Sequence, residues 1–477
     1  MKFIIKKQNV VRFLMVSILL VLIPVQAFCI TARQEEELSR EFMKYILQHA
    51  EFIEDPVIVD YVNSVGKKIV STLPSPTFEY RFYILNDYTY NAFASPAGQI
   101  FINSGLFEAM DNEEELAGIL GHEIAHVACR HISEKIERAK KISLVTLAGL
   151  AAGIFLGAGS AATAGSALTI GSMAAGQSIA LAYSRDDEIQ ADQMGLKYLK
   201  KAGYNGSGLL SSLKKIRNKQ WFGSKNIPTY LTTHPAVEDR IAYIGGVLEE
   251  NPELKNRKSN KPDHGFAVAH TRLIAMYGDK QTGLKKFKAD IDKYPESLIA
   301  HYGYGLILAR TGNRKDAVAH LKIALEKNAF DPDLLRDIGR IYFLDGQYLK
   351  ALNSLNGALC MAPDDPETLF FLGRTQTQLG KLDNAILTFK KLLAKNPDYT
   401  RALFFLGNSY GKSGRLAEAH YYLGIYYQEK ENHKNAEFHL KKALEKTSDQ
   451  DKKTEIEERL EQVNKRSVKK KQDESKS

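Results

Sequence analysis

The chain has 477 residues, enough for about three domains or blocks of repeats. Hydrophobic residues make up 44% and charged residues 25%, which excludes wholesale disorder, and three cysteines are too few for a disulfide scaffold. The net charge is +9, but no basic stripe interleaved with aromatic residues accompanies it, so we predict no nucleic-acid partner.

Residues 1–32 have the pattern of an export signal. Basic residues precede an apolar run, Phe13–Ile23, and small residues follow it, so cleavage is predicted after Ala27 or Ala32. Because the apolar run is short, the pattern favours a cleaved signal peptide over an uncleaved membrane anchor, and we predict export to a bacterial periplasm. Removal of the signal leaves Cys129 and Cys360. One disulfide between them is possible, but we predict that they are two buried thiols.

Helices and short strands are predicted over the next hundred residues. Apolar positions at helical spacing, after a Glu-rich first turn, predict a helix within residues 33–72. The β-rich segment Phe78–Leu85 predicts one short strand and Gln99–Asn103 a second. A helix is then predicted from about Asn112 through Lys140.

Residues 142–184 contain no charged side chain over 43 positions and are rich in Ala, Gly, Ser and Thr. Gly149, Gly153 and Gly157 recur at spacing four, which lets two helices approach closely. Because the second half is only weakly apolar, we predict a helical hairpin that packs on the protein or makes peripheral contact with a membrane surface. A true double span is the alternative, since two spans need about 20 residues each.

A polar linker is predicted at 249–263, and beyond it the sequence repeats every 34 residues up to about residue 446. The recurring positions are Gly278, Gly312, Gly346, Gly380 and Gly414; Gly305, Gly339, Gly373 and Gly407; Ala317, Ala351, Ala385 and Ala419; and Pro295, Pro363 and Pro397. Small residues where helices touch and glycines at turns predict helix–turn–helix units, and the pattern resembles the tetratricopeptide repeat.

The end of the repeat array departs from this phase. Gly424 lies 17 residues after Gly407, half a repeat, so one helix at about 416–428 is predicted to serve two units. The remaining residues, 447–477, are highly charged, and we predict a partly disordered tail.

The strongest chemical motif is Gly121-His-Glu-Ile-Ala-His126. On a helix, His122 and His126 point the same way and can donate two nitrogens to one Zn²⁺. Glu123 is rotated by about 100° from His122, so its carboxylate reaches the water at the metal and serves as general base. Metzincins place a further His six residues after the second one, where this chain has Ile132, so the third ligand must come from elsewhere.

The best candidate for that ligand follows the uncharged segment. Glu188 and Asp192 are four residues apart on one predicted helix face. Glu188 can bind the zinc, while Asp192 can accept a hydrogen bond from the far nitrogen of a ligating histidine. A solvated acidic helix start is the alternative interpretation.

Four stretches resemble the M48 family of zinc metallopeptidases: Asn91–Leu106, His122–His131, Ser184–Asp192, and Thr233-His-Pro235 with Arg240. The resemblance implies a mainly α-helical protein, with a gluzincin-type α+β domain and a small sheet over 33–248, followed by an all-α tetratricopeptide array over 264–446. It also implies one Zn²⁺ per chain, held by His122, His126 and Glu188, with Glu123 as base.

The family pattern also places His234 near the metal. This residue is predicted either to stabilise the oxyanion during catalysis or to cap the zinc and hold the enzyme latent. Separately, the strand made of Gln99, Ile100, Phe101, Ile102 and Asn103 would bind an extended substrate as an added strand if it lies at a sheet edge.

These observations predict an exported zinc metalloendopeptidase that cleaves unfolded or misassembled envelope proteins. The resemblance implies a task in quality control or assembly of outer-membrane proteins, with substrates or protein partners recruited by the repeats. Two alternatives are a chaperone-like repeat scaffold with latent protease activity, and an integral-membrane protease that uses 142–184 as spans.

Overall fold

The structure of the protein is a computed structural model that describes residues 31–138, 183–222, 228–255 and 264–474. The chain divides into two compact units, Met1–Phe266 and Ala267–Ser477. The export signal and all but the last two residues of the predicted hairpin at 142–184 lie outside the described residues. Among the helices in these ranges, none combines the length and apolar character needed to cross a membrane.

The first unit packs helices around one small sheet. Its elements are α1 (Ala32–His49), α2 (Pro56–Val70), β1 (Arg81–Leu85), β2 (Ala92–Ala94), β3 (Gln99–Asn103), α3 (Ser104–Glu108), α4 (Glu113–Ala128), α5 (His131–Arg138), α6 (Arg185–Ala202), α7 (Ser207–Phe222), α8 (Thr229–Thr233), α9 (Val237–Glu250) and α10 (Pro252–Lys255). The first half of the predicted linker is therefore helical, since α9 runs to Glu250 and α10 follows it.

Two predicted helices are broken in the structure. The helical segment at 33–72 is interrupted before Pro56, which lacks a backbone N–H, and Asp55 caps α2 by accepting a hydrogen bond from the Val57 amide at 3.2 Å. The predicted helix from Asn112 ends at Ala128, because Arg130 adopts a left-handed φ of 58°. This turn separates α5 from α4.

The sheet has the strand order β1-β3-β2, with β3 parallel to β1 and antiparallel to β2. The strand Gln99–Asn103 is therefore the central one, and the proposal that it binds substrate at a sheet edge is wrong. Its backbone groups pair on both sides, so no further strand can add to it. The sequence did not reveal this because Ala92–Ala94 is short and weakly β-forming.

Helices α4 and α6 approach each other closely enough to bring their polar residues together. A Cβ atom at Gly195 would lie 3.2 Å from the Gly121 carbonyl oxygen, and one at Gly121 would lie 3.0 Å from the Leu199 side chain. Both glycines therefore permit the two backbones to cross at His122. Aromatic rings of the sheet, Phe93 and Phe101, stack at 4.8 Å in the core beneath α1.

The second unit consists of paired helices. They are α11 (His264–Met276), α12 (Lys280–Lys293), α13 (Leu298–Arg310), α14 (Arg314–Lys327), α15 (Pro332–Leu344), α16 (Tyr348–Met361), α17 (Pro366–Gln378), α18 (Leu382–Lys395), α19 (Thr400–Lys412), α20 (Leu416–Glu429), α21 (His433–Lys446) and α22 (Gln450–Glu474). The turn glycines Gly312, Gly346, Gly380 and Gly414 all have positive φ.

The phased glycines lie where the two helices of a pair touch. A Cβ atom at Gly373 would lie 2.7 Å from the Phe389 ring, and one at Gly407 would lie 2.9 Å from Leu423. The out-of-phase Gly424 repeats this contact against Leu440, at 2.7 Å. Helix α20 thus packs on α19 before it and on α21 after it, as the half-repeat offset predicts.

The charged segment predicted as a partly disordered tail contains the helix α22 from Gln450 to Glu474. This helix buries Ile456 and Val463 against α20 and α21, because these residues share one helix face. Cys129 of the first unit and Cys360 of the second are free thiols as predicted, but the prediction that they are buried is wrong, since Cys129 is half-buried and Cys360 is exposed.

Candidate metal centre

Helix α4 carries the histidine pair into the interior of the first unit. Asn112 caps it by accepting a hydrogen bond from the Glu115 amide at 3.1 Å, and every residue from Glu115 to Val127 is buried. The Nε2 atoms of His122 and His126 lie 3.0 Å apart. The two side chains thus face one common point, as the i, i+4 spacing predicts.

Helix α6 brings a carboxylate to the same point. One oxygen of Glu188, Oε2, lies 3.4 Å from His122 Nε2, and the other, Oε1, lies 3.5 Å from His126 Nε2. None of the three side chains is more than 1% exposed. Because α6 begins at Arg185, Glu188 lies in its first turn, where Ser184 supplies a capping box.

His234 completes a cluster of four ligand-type side chains. Its Nδ1 lies 3.0 Å from Glu188 Oε1 and 3.4 Å from His122 Nε2. The four donor atoms lie within 4.8 Å of one another, and all four residues are buried. The His234 ring stacks on Tyr230 at 4.2 Å, which fixes its orientation, and its Nε2 lies 3.7 Å from Glu123 Oε1.

In His122 and His126, the Nδ1 atom faces away from the cluster. The hydrogen bond made by this nitrogen determines whether the other ring nitrogen, Nε2, keeps a lone pair. His122 Nδ1 lies 2.9 Å from Asp192 Oδ1, and since a carboxylate only accepts, this nitrogen carries the proton. In the neutral ring the lone pair is therefore on Nε2, which faces the cluster. Asp192 thus accepts a hydrogen bond from the nitrogen of His122 that faces away from the cluster.

A second chain of hydrogen bonds does the same for His126. His131 Nε2 lies 2.8 Å from Gln190 Oε1, so it donates, and the Nδ1 atom of neutral His131 is an acceptor. His126 Nδ1 lies 2.9 Å from this acceptor and must donate to it. The lone pair of His126 is consequently on Nε2, beside that of His122.

Arg240 links the carboxylates behind the cluster. It donates to both oxygens of Asp192, at 2.8 and 2.7 Å, and its Nη1 forms an ion pair with Glu188 Oε2 at 2.6 Å. The guanidinium is 1% exposed. Arg240 therefore compensates buried negative charge and holds the carboxylate of Glu188 in one orientation.

The buried charges shift the pKa values of the cluster in different directions. Burial and Arg240 lower the pKa of His122, but the hydrogen bonds that His122 donates to the carboxylates of Asp192 and Glu188 outweigh them and raise it to about 9. Burial raises the pKa of Glu123 above its ordinary value, although the positive charge of its neighbours acts in the opposite direction. Burial raises the pKa of Glu188 too, but Arg240 and His234 hold it well below its ordinary value.

The residues fit a zinc ion by the chemistry of their donors. Imidazole nitrogens and one carboxylate are the ligands of catalytic zinc sites, and here their lone pairs converge. Both carboxylate oxygens of Glu123 are buried and make no hydrogen bond within the described part of the chain. A buried carboxylate without hydrogen bonds is costly, and beside such a cluster it is suited to receive a proton from a reactant.

Comparison with known proteins places this site in a family. A model described as "Peptidase family M48" matches residues 59–247, and tetratricopeptide-repeat models match 278–332, 308–366 and 342–402. Metalloprotease YcaL of Escherichia coli is 31% identical over 184 residues, which are 37% of this chain and 68% of that protein. The chain belongs to peptidase family M48.

Two longer relatives match more of the chain. The beta-barrel assembly-enhancing protease of Yersinia pestis is 27% identical over 321 residues, covering 65% of this chain and 62% of that protein. A putative protein of the same name in Vibrio cholerae is 29% identical over 281 residues, covering 58% and 57%. The chain thus spans about three-fifths of the length of these relatives.

Sequence reasoning missed two partners of this M48 site. Arg240 was part of the resemblance but received no role, although it is the buried counter-ion of Asp192 and Glu188. His131, the last residue of a stretch that resembles the family, also received no role, whereas it is the acceptor for His126. The spacing of His131, five residues after His126, does not suggest contact, because only the left-handed turn at Arg130 brings the ring back.

Proposed function

We propose that the protein is an exported, zinc-dependent endopeptidase that cleaves unfolded or misassembled envelope proteins. The observation that carries the proposal is the convergence of His122, His126 and Glu188 on one buried point next to Glu123. Family M48 membership supports it. In this proposal His122, His126 and Glu188 hold one Zn²⁺ per chain.

The chain's own residues divide the chemistry among them. Zinc, when bound, supplies a Lewis acid that polarises a carbonyl group and lowers the pKa of water to about 7. Glu123 accepts the proton of the attacking water and passes it to the leaving amine nitrogen, a role suited to a carboxylate whose pKa burial raises. Asp192 and Arg240 keep the ligands oriented.

His234 has two proposed roles, and its position suits both. Its Nε2 points toward Glu123 and can donate a hydrogen bond to the oxyanion of the tetrahedral intermediate. Its Nδ1 lies among the ligand atoms and can serve as a fourth ligand that keeps the enzyme latent. The second role favours the alternative function, a chaperone-like repeat scaffold whose proteolysis is secondary.

The proposed setting is the bacterial periplasm, in quality control or assembly of outer-membrane proteins. The names of the Yersinia and Vibrio relatives support this setting, as does the export signal predicted at 1–32. The repeats of the second unit are proposed to recruit substrates or protein partners. Peripheral membrane contact through 142–184 is part of the same proposal.

Zinc content and cleavage of an unfolded β-rich protein, measured together, test this function. Wild type is expected to hold one zinc and to cleave, whereas Glu123→Gln should hold zinc and not cleave, because only the proton acceptor is lost. A protein without zinc in either form would refute the metal site.

The His234→Ala variant separates the two roles of His234. If the residue stabilises the oxyanion, its loss should lower kcat by about 10²- to 10³-fold without loss of zinc. If it caps the zinc, wild type should be silent and His234→Ala should cleave. Unchanged cleavage in this variant would refute both roles.

A further inference from the structure

Each repeat consists of two helices, and in three repeats the first helix carries an arginine at the same position. Arg272 of α11, Arg340 of α15 and Arg374 of α17 are separated by whole multiples of the 34-residue period. Leu306 and Asn408 occupy the same position in α13 and α19. The three arginines therefore project from equivalent places on the layer of first helices.

Two of these arginines share a buried carboxylate. Arg272 donates to Asp337 at 2.5 Å and to the Tyr302 hydroxyl at 3.0 Å. Arg340 lies 3.8 Å from the same carboxylate, which is three residues earlier on its own helix. Asp337 has no exposed surface. Arg272 and Arg340 are thus compensated within the chain.

Arg374 has an aromatic environment instead. The position three residues before it, which in α15 holds Asp337, is Phe371, and its ring centroid lies 5.5 Å from the guanidinium carbon. Phe343 of α15 and Phe405 of α19 lie at 4.5 and 4.6 Å. Across the described residues, no carboxylate pairs with Arg374, and the side chain is half-buried.

The electrostatics agree with the absence of a directly paired carboxylate among the described residues. Burial, and next the charge of Arg401, lowers the pKa of Arg374 and outweighs the opposing charge of Glu367, whereas the pKa of the carboxylate-paired Arg336 is raised despite burial. Arg401 lies over Phe370 at 4.4 Å and reaches Glu367 at 3.7 Å. The patch around Arg374 is therefore aromatic with an excess of positive charge.

We propose that Arg374, with the rings of Phe343, Phe371 and Phe405, binds an acidic side chain of an extended peptide segment in which aromatic residues flank the acid. Aromatic faces hold a guanidinium but leave its N–H groups without an acceptor, and a carboxylate is the acceptor that satisfies them. Phe343 and Phe371 are buried, whereas Phe405 is partly exposed, so an aromatic neighbour of the acid packs on the Phe405 ring. The idea rests on the proposed recruitment of substrates by the repeats and names the segments they select.

The test is peptide binding to the full chain. Fluorescein-labelled, C-terminally amidated peptides with the core Phe-Glu-Phe or Phe-Gln-Phe are titrated with the Glu123→Gln protein, which is not expected to cleave them, and anisotropy gives the Kd. We expect the Glu peptide to bind roughly tenfold more tightly. In Arg374→Met, which keeps the length of the side chain, the two peptides should bind alike.

The matched control is Arg340→Met, at the equivalent position one repeat earlier. Because Asp337 already compensates Arg340, this variant should keep the preference for the Glu peptide. Circular dichroism checks that both variants remain folded. A third peptide, with Phe-Gln-Phe and a free terminal carboxylate, tests the source of the acid and should bind like the amidated Gln peptide.

Several results would overturn the assignment. They are equal or absent binding of the Glu and Gln peptides, a preference that survives in Arg374→Met, and tighter binding of only the peptide with the free terminus. Zinc content and cleavage are measured separately from these titrations. A failure of the protease proposal is therefore distinguishable from a failure of the peptide site.

Discussion

Replacement of His131 by Phe isolates the hydrogen bond that orients one of the proposed zinc ligands. His131 is 2% exposed. Phe keeps the planar shape of its side chain but removes both ring nitrogens. His126 Nδ1 then loses its acceptor at 2.9 Å, and Gln190 Oε1 loses its donor at 2.8 Å. The proposed ligands His122, His126 and Glu188 are unchanged.

The expected cost is a weaker hold on zinc. Loss of an outer partner of a metal-bound histidine typically lowers metal affinity by 10- to 100-fold, which is about 1.4 to 2.7 kcal/mol. The reason is that the ring of His126 can rotate and that its unpaired N–H is left buried. Zinc affinity is measured by competition with a chromophoric chelator.

A control for general destabilisation is available in the second unit. His301 is 5% exposed and is also hydrogen-bonded to a histidine, His320, at 2.8 Å. His301→Phe should leave zinc affinity unchanged. If His131→Phe binds zinc as tightly as wild type, the proposed orientation of His126 by His131 is wrong.

Further predictions concern stability. Gly208→Ala should lower the free energy of unfolding by about 1–3 kcal/mol, because the new Cβ would clash with the Glu114 carbonyl. Gly245→Ala should raise it by about 0.5–1 kcal/mol, because no atom lies within 4 Å of the new Cβ. Urea unfolding measures both changes. Burial raises the pKa of Asp337, but Arg272 and other arginines hold that pKa below its ordinary value. The ionised carboxylate therefore stabilises the folded state above about pH 4, and this contribution is lost as the pH falls further. Asp337→Asn should therefore cost about 3 kcal/mol at pH 7, less at pH 3, by circular dichroism; an equal cost at both pH values would contradict this reasoning.

Local patterns predicted much of the fold because they report on contacts within one helix or one repeat. The spacing of His122 and His126 determines that both face one side of α4, and the phased glycines such as Gly373 mark close helix contacts. The sequence was less informative where a single residue changes the direction of the chain. Pro56 begins a separate helix, and the turn at Arg130 follows the end of another, within segments that the apolar periodicity would have continued as single helices.

The sheet and the C-terminal helix show a different limit. Gln99–Asn103 was recognised as a strand, but its central position depends on Ala92–Ala94, which has little strand character of its own. In α22 the high charge hid the face formed by Ile456 and Val463, and only packing against α20 and α21 makes the segment ordered. In both cases a distant partner decides the outcome.

The sequence by itself determined the family, the repeat array and the ligand-type residues, because short spacings on a helix fix which side chains share a face. Only the tertiary structure decided which residues compensate the buried charges of the site and which ones orient its histidines. Asp192 and Arg240 meet across 48 positions, and His131 reaches His126 through a left-handed turn. Such contacts depend on how helices cross in the folded unit, which no local periodicity encodes.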